Sequence, residues 1–253
     1  MVVKIKIKVM KKILLLLFLF CSIVVSSQVA VMGGGVPEGA VRTYEDVISD
    51  SGYAWYIADA ANYTTVGDTV ISQWDDESGN DYHLLQADAA QRPHYDGDSV
   101  WFDGVDDIIG PVTFTWNQPS VIFLVVNPLT WVSTAQLFQG GSNNNMKVYQ
   151  TGTSPGVRPS FGTTGGENSN LTLETWHILK LVGNGTSGIL QIDETTATEG
   201  NFGANNPGGL TLGAYPTESS FSNVAYKEII CLGGIDADDQ TIIYDYLTDK
   251  YGL

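Results

Sequence analysis

Val121-Ile122-Phe123-Leu124-Val125-Val126 decides the fold. Its β-branched and aromatic content favours a strand over a helix. A strand alternates its side chains between two faces, so a run with no polar alternate must be covered on both. This segment is therefore expected to be a central strand, from Ser120 to Asn127. On either side of it, short apolar runs alternate with clusters of Gly, Asn, Asp, Pro and Ser, as strands separated by turns do. Further strands are expected at Tyr53–Ala58, Thr69–Trp74, Val100–Asp103, Gln136–Gln139, Met146–Gln150, Trp176–Val182, Gly188–Asp193, Leu210–Gly213 and Val224–Leu232. One helix closes the chain. Asp236 and Asp238 stand where an N-cap and a first-turn acid belong, Ile242, Ile243, Tyr246 and Leu247 make one apolar face, and Gly252 fits the stop. It is expected to pack at the edge of a β-sandwich.

The N-terminus reads differently. Lys4, Lys6, Lys8, Lys11 and Lys12 precede an apolar run from Ile13 to Val25, and the small residues Ser26 and Ser27 follow. Basic, apolar and small segments in that order are expected to be a secretory signal peptide over residues 1–27. The run would cover roughly 20 Å as a helix, short of a hydrocarbon core of about 30 Å. Nothing after Gln28 is expected to cross a membrane. Residues 28–50, with Gly33-Gly34-Gly35, are expected to form a lead-in, and residues 51–253 the folded domain.

Charge excludes one class of partner. The chain carries 12 Lys+Arg against 28 Asp+Glu, a net charge of −16. Removing residues 1–27 takes away five lysines and no acid, so the net charge falls to −21. Phosphate binding needs clustered Lys and Arg, and nucleic acid is therefore not an expected partner. Without Cys21, Cys231 has no disulfide partner. Its setting, Ile229-Ile230-Cys231-Leu232, reads as that of a small buried hydrophobe.

Several pieces then follow one another in order: Trp55-Tyr56-Ile57-Ala58-Asp59, Trp74-Asp75-Asp76-Glu77-Ser78-Gly79-Asn80, Arg92-Pro93, Val100-Trp101-Phe102-Asp103-Gly104-Val105-Asp106-Asp107, Thr175-Trp176-His177, Leu210-Thr211-Leu212-Gly213 and the tail Tyr246 to Gly252. Together they resemble the secreted concanavalin A-like, laminin-G-like jelly-roll domains. The resemblance implies an all-β fold of two packed antiparallel sheets, which agrees with the strand pattern. Such domains include lectins, glycan-cleaving enzymes and adhesion modules, so the fold does not select the function.

The residues argue against an enzyme. Glycan hydrolases of this superfamily resemble a strand with Glu-x-Asp-x-(x)-Glu, which puts alternate carboxylates on one face. The nearest stretch, Leu190 to Thr196, has Gln191 at the first acidic position and no Glu at the third. His83, His94 and His177 stand apart, and no catalytic residue is assigned. Asp103-Gly104-Val105-Asp106-Asp107 lacks the alternating ligands of an EF-hand and reads as a turn. Trp55, Trp74 and Trp176 fall in strands and read as core, whereas Trp116 and Trp131 lie beside Pro-containing loops and are the candidates for sugar stacking.

The expected function is a secreted or surface-displayed carbohydrate-binding module without catalytic activity, its partner a glycan or polysaccharide. The alternative is a structural or adhesion module on a cell or virion surface that binds protein. By its resemblance to pentraxin-like relatives, the ligand site is expected where a loop at Gly140–Asn145 meets one at Ala214–Ser219. Asn143, Asn144, Asn145 and Glu218 offer oxygens, and Tyr215 and Trp131 offer rings. Calcium is the candidate cofactor. A single carboxylate there implies weak metal affinity or none, so no metal ligand is assigned.

Overall fold

A computed structural model of the chain describes residues 41–59, 63–66, 69–152 and 155–253. The expected signal segment and the first part of the lead-in lie outside the described residues. The compact body runs from Arg42 to Leu253.

The described strands form two antiparallel sheets. In chain order those of the large sheet are β1 (Gly52–Ile57), β2 (Tyr63–Val66), β3 (Val70–Trp74), β4 (Leu84–Leu85), β5 (His94–Tyr95), β6 (Val100–Asp103), β8 (Ser120–Pro128), β12 (His177–Gly183), β13 (Gly188–Ile192), β14 (Thr198–Gly200) and β16 (Asn223–Gly233). The small sheet holds β7 (Ile109–Thr113), β9 (Gln136–Gln139), β10 (Met146–Gln150), β11 (Val157–Phe161) and β15 (Gly209–Leu212). Its order is β11-β10-β9-β15-β7. The all-β jelly-roll sandwich with a C-terminal helix is the architecture the sequence implies.

β8 explains why one run of six apolar residues organises the whole molecule. It lies between β12 and β16 and pairs with both along its length. Ile122, Leu124 and Val126 enter the core between the sheets. Val121, Phe123 and Val125 enter a second core on the outer face of the large sheet. Each such burial stabilises by about 1.5–3 kcal/mol. β16 extends the arrangement. One of its edges follows β8, with a shift of register between Tyr226 and Glu228, while the other is shared by β6 at Asn223–Tyr226 and β1 at Glu228–Leu232.

The outer core is closed by two helices. Helix α1 (Tyr44–Ser51) starts in a capping box in which Thr43 and Asp46 exchange hydrogen bonds. Helix α2 (Ala237–Tyr251) starts at Asp236, whose carboxylate accepts from the backbone N–H of Asp238 and Asp239, and stops at Gly252 with φ 67°. Ile243 and Leu247 are completely buried beside Phe123, Val125 and Ile230. The Tyr44 and Tyr246 rings stack, their centroids 3.7 Å apart. The helix therefore covers the outer face of the central strands, a more interior position than the sandwich edge. The reason lies in β8 itself, whose second apolar face needs a cover. The end of the lead-in joins the same core, because α1 supplies Val47 and Ile48 to it.

Candidate functional site

The outer face of the small sheet is polar, and the alternation of β10 makes it so. Met146 and Val148 enter the inter-sheet core, so Lys147 and Tyr149 stand on the opposite face. Their strand neighbours fix two rows. Lys147 lies between Gln139 on β9 and Ser160 on β11, with Thr211 on β15 beyond Gln139. Tyr149 lies between Gln136 and Arg158.

Lys147 is held rather than loose. Its Nζ donates to the Tyr215 hydroxyl at 2.9 Å and sits 5.2 Å and 5.5 Å from the ring centroids of Tyr215 and Tyr149. Gln136 and Gln139 are buried, and their Nε2 groups donate to the carbonyls of Thr134 and Ser142. Both Oε1 atoms accept nothing. A buried acceptor without a donor costs about 1–3 kcal/mol, so two on neighbouring rows of one face are a marked departure from ordinary packing. A cleft of about 290 Å³ continues the face past Tyr149, between Ser133, Thr134, Gly152, Arg158 and Glu167. The Arg158 Nε lies 3.5 Å from a Glu167 carboxylate oxygen.

The two loops expected to form the site do meet, because Asn143 Nδ2 donates to Thr217 Oγ1 at 3.4 Å. Tyr215 belongs to the Lys147 cluster. Glu218, with φ 56°, accepts from Gln91 Nε2 at 3.0 Å. Asn144 has φ 66°, and its carbonyl accepts from Asn205 Nδ2. Asn145 donates to the Pro207 carbonyl at 3.1 Å, toward the strand connection and not toward Glu218. Trp131 gives its Nε1 proton to the Thr151 carbonyl and packs against the inter-sheet core. Trp116, the other stacking candidate, is wholly buried with its Nε1 bonded to the Leu232 carbonyl, and that expectation is corrected. Lys147, Tyr149, Arg158, Gln136 and Gln139 were not singled out in the sequence. The signal was present in β10, where an apolar–polar alternation marks Lys147 and Tyr149 as outward.

Two other constellations merit comparison. Asp103, Asp106 and Asp107 bring one oxygen each within 4.8 Å of the others. The Asp103 carboxylate accepts from the N–H groups of Val105 and Asp106, and Asp107 accepts from the Asp103 N–H. Burial, with the neighbouring Asp103 and Asp106 carboxylates, pushes the Asp107 pKa up to about 7. His177 stands 2.7 Å from Asp193 through Nδ1, and its Nε2 accepts from the Thr172 backbone N–H at 3.1 Å. The Thr172 hydroxyl lies 3.0 Å from the same nitrogen, in an order that imitates a nucleophile–base–acid relay. The backbone N–H already occupies the lone pair a base would need, so the group fastens the turn before β12.

No family model and no curated protein matches the chain. Solved structures match its fold. A Trypanosoma rangeli sialidase in complex with sialic acid superposes with a TM-score of 0.59 at 10% identity, over 88% of this chain and 36% of the sialidase. The Trypanosoma rangeli sialidase in another structure gives 0.59 at 14% identity with the same coverage. An arabinofuranosidase complexed with arabinofuranosyl-alpha-1,2-xylobiose gives 0.58 at 12% identity, over 81% of this chain and 64% of that one. The chain thus spans about a third of the sialidase and under two thirds of the arabinofuranosidase. These neighbours act on carbohydrates, and they overturn the expectation that the chain is no enzyme. The missing Glu-x-Asp-x-(x)-Glu strand tests one arrangement of carboxylates, and a sandwich can gather such groups from several strands and loops.

Proposed function

We propose that this chain is a secreted carbohydrate-recognition domain of the concanavalin A-like superfamily, and that it holds a glycan on the outer face of its small sheet. The observation that carries the reading is the cluster on that face: Lys147 held between Tyr149 and Tyr215, beside the buried, unpartnered amide oxygens of Gln136 and Gln139. Sugars offer hydroxyl donors to such oxygens and C–H faces to tyrosine rings. The crystallised relatives of the fold, a sialidase and an arabinofuranosidase, act on carbohydrates and support the same class of ligand.

A glycan array probed with the chain, with and without calcium, tests this directly. Binding that is lost in both Tyr149→Ala and Tyr215→Ala, with unchanged melting temperature, is the expected result. No binding under either condition overturns it.

The glycosidase neighbours favour a second reading, in which the same face also cleaves what it holds. Glu167 and Glu218 border the face and are the carboxylates to test. Release of reducing sugar from a bound glycan, abolished in Glu167→Gln or Glu218→Gln, would establish it. Release unaffected by both substitutions would remove these residues from it.

A further inference from the structure

We infer that the glycan held by the small-sheet face carries a carboxylate, and that Lys147 receives it. This rests on the reading of that face as a glycan site and names the chemical class of the sugar.

The argument starts from charge. Among the described residues the basic groups are few and mostly neutralised: Arg42 pairs with Asp50 and Asp239, Arg158 with Glu167, Lys227 with Asp98 and Lys250 with Glu228. Arg92 bonds to the carbonyls of Gln86 and Ala87. Among the described residues no carboxylate forms an ion pair with Lys147, whereas Arg42, Arg158, Lys227 and Lys250 each have one. A cation left unneutralised in so acidic a protein, and fixed on a sheet face by a hydroxyl and two rings, is a prepared receptor for an anion. Its position is set before any ligand arrives, so little freedom is lost on binding.

The surroundings limit what that anion can be. Glu218 stands in the turn that contributes Tyr215, and Glu167 lines the cleft past Tyr149. A polyanion lying along the face would meet both carboxylates and the field of a chain with net charge −16. A single carboxylate at Lys147 avoids both. The rest of the ligand then meets the Tyr149 ring and the cleft past it, whose Ser133 and Thr134 suit neutral hydroxyl groups. The fitting ligand is therefore a mostly neutral oligosaccharide with one acidic residue, of uronic or sialic type.

Lys180 supplies the internal comparison. It is the other lysine without a carboxylate partner among the described residues, but it lies on the outer face of the large sheet in a cleft with Gln191, Glu194 and Asp245. There Glu194 and Asp245 line the same cleft, and an anion entering it would be repelled.

The test uses pairs of immobilised oligosaccharides that are identical except that the carboxylate of one is reduced to a hydroxymethyl group. One set ends in glucuronic acid and another in sialic acid, which separates the two sources of the same charge. The full chain is expected to bind the acidic member of at least one set about tenfold more tightly than its reduced partner, a difference that shrinks with added salt. Lys147→Gln should bring the acidic member down to the reduced one at unchanged melting temperature, Lys147→Arg should keep most of the preference, and Lys180→Gln should change nothing. Equal binding of both members, or a preference that survives Lys147→Gln or vanishes in Lys180→Gln, overturns the inference and leaves the glycan site standing. Failure to bind either member of any pair, on a panel where the array also shows no glycan bound, brings down the site and the inference together.

Discussion

Lys250 Nζ lies 2.6 Å from Oε2 of Glu228, a side chain with no solvent exposure beneath the C-terminal helix. The same carboxylate accepts from Trp55 Nε1 and from the hydroxyls of Tyr246 and Tyr251. Four donors from β1 and α2 thus converge on one residue of β16. A buried carboxylate is tolerable only when so completely bonded, and removing it strands every donor at once. Glu228→Ala is expected to destabilise the fold by about 3–5 kcal/mol. Glu228→Gln keeps the shape but turns an amide N–H toward other donors, so it should lose a comparable part of that. Urea unfolding decides the matter, and a midpoint within error of wild type for both variants would mean that the network holds nothing.

Ile243 makes the same interface from its apolar side. It is fully buried against Phe123, Val125 and Ile230. Ile243→Asp would put an unpaired charge there, at a cost of about 3–5 kcal/mol, a large fraction of an ordinary domain's stability. Asp245→Asn, on the exposed side of the same helix, is expected to stay within about 0.5 kcal/mol of wild type. Thermal melts of the pair read out the difference, and equal melting temperatures would show that the helix does not dock through Ile243.

Cys231 reports on the opening of the core. It is buried on β16, and burial pushes its thiol pKa well up, with Asp76 adding to the effect. In a Cys21→Ser background the thiol is expected to resist disulfide-exchange reagents in the native state, and to react at the rate of unfolding as urea is added. Rapid labelling without denaturant would place the thiol in a locally open strand.

Much of this architecture was legible because its signals are local. Val121–Val126 announces a strand covered on both faces, Val100–Asp103, Gln136–Gln139 and Met146–Gln150 coincide with β6, β9 and β10, and Asp236 and Gly252 bracket the helix. The strands that escaped notice are of two kinds. β7 and β11 contain Pro111 and Pro159, which ordinarily argue against a strand, but each lies at an edge of the small sheet, where proline is tolerated. β2, β4, β5 and β14 have two to four residues, too few to show an apolar–polar alternation, although each pairs with a strand near it in sequence. Helix α1 escaped because its eight residues carry few apolar side chains, and its capping box was the readable sign.

The site was legible in its loops and not in its floor. Gly140–Asn145 and Ala214–Ser219 were placed by the resemblance to pentraxin-like relatives and by order along the chain, and Asn143 meets Thr217. Gln136, Gln139, Lys147 and Arg158 come together only through the register of β9, β10 and β11, which depends on a shift in the β9–β10 pairing, where Leu137 is passed over between Phe138 and Gln136. Pairing register is a property of three strands, and no single stretch of residues encodes it.

Asp107 provides the pH dependence. Burial raises its pKa to about 7, with Asp103 and Asp106 adding to the effect against the opposing hydrogen bond from the Asp103 N–H. In an unfolded chain an aspartate titrates near 3.9, so the folded state holds this proton far more tightly. Below about pH 4 both states are protonated, and the contribution is present in full. As the pH rises toward 7 the unfolded chain releases its proton while the folded one keeps it, so this contribution falls and is exhausted above about pH 7. The slope approaches 1.36 kcal/mol per pH unit, which bounds the whole effect at about 4 kcal/mol. Asp107→Asn removes the titration and retains an oxygen that can accept from the Asp103 N–H. The variant should therefore show a flatter stability curve between pH 4.5 and 7.5 than wild type, and should be the more stable of the two at pH 7.5. Urea titrations across that range, with a chelator present so that no cation bridges the three carboxylates, measure it. Parallel curves for the two proteins would place the Asp107 pKa in the ordinary aspartate range and show that its burial is relieved in solution.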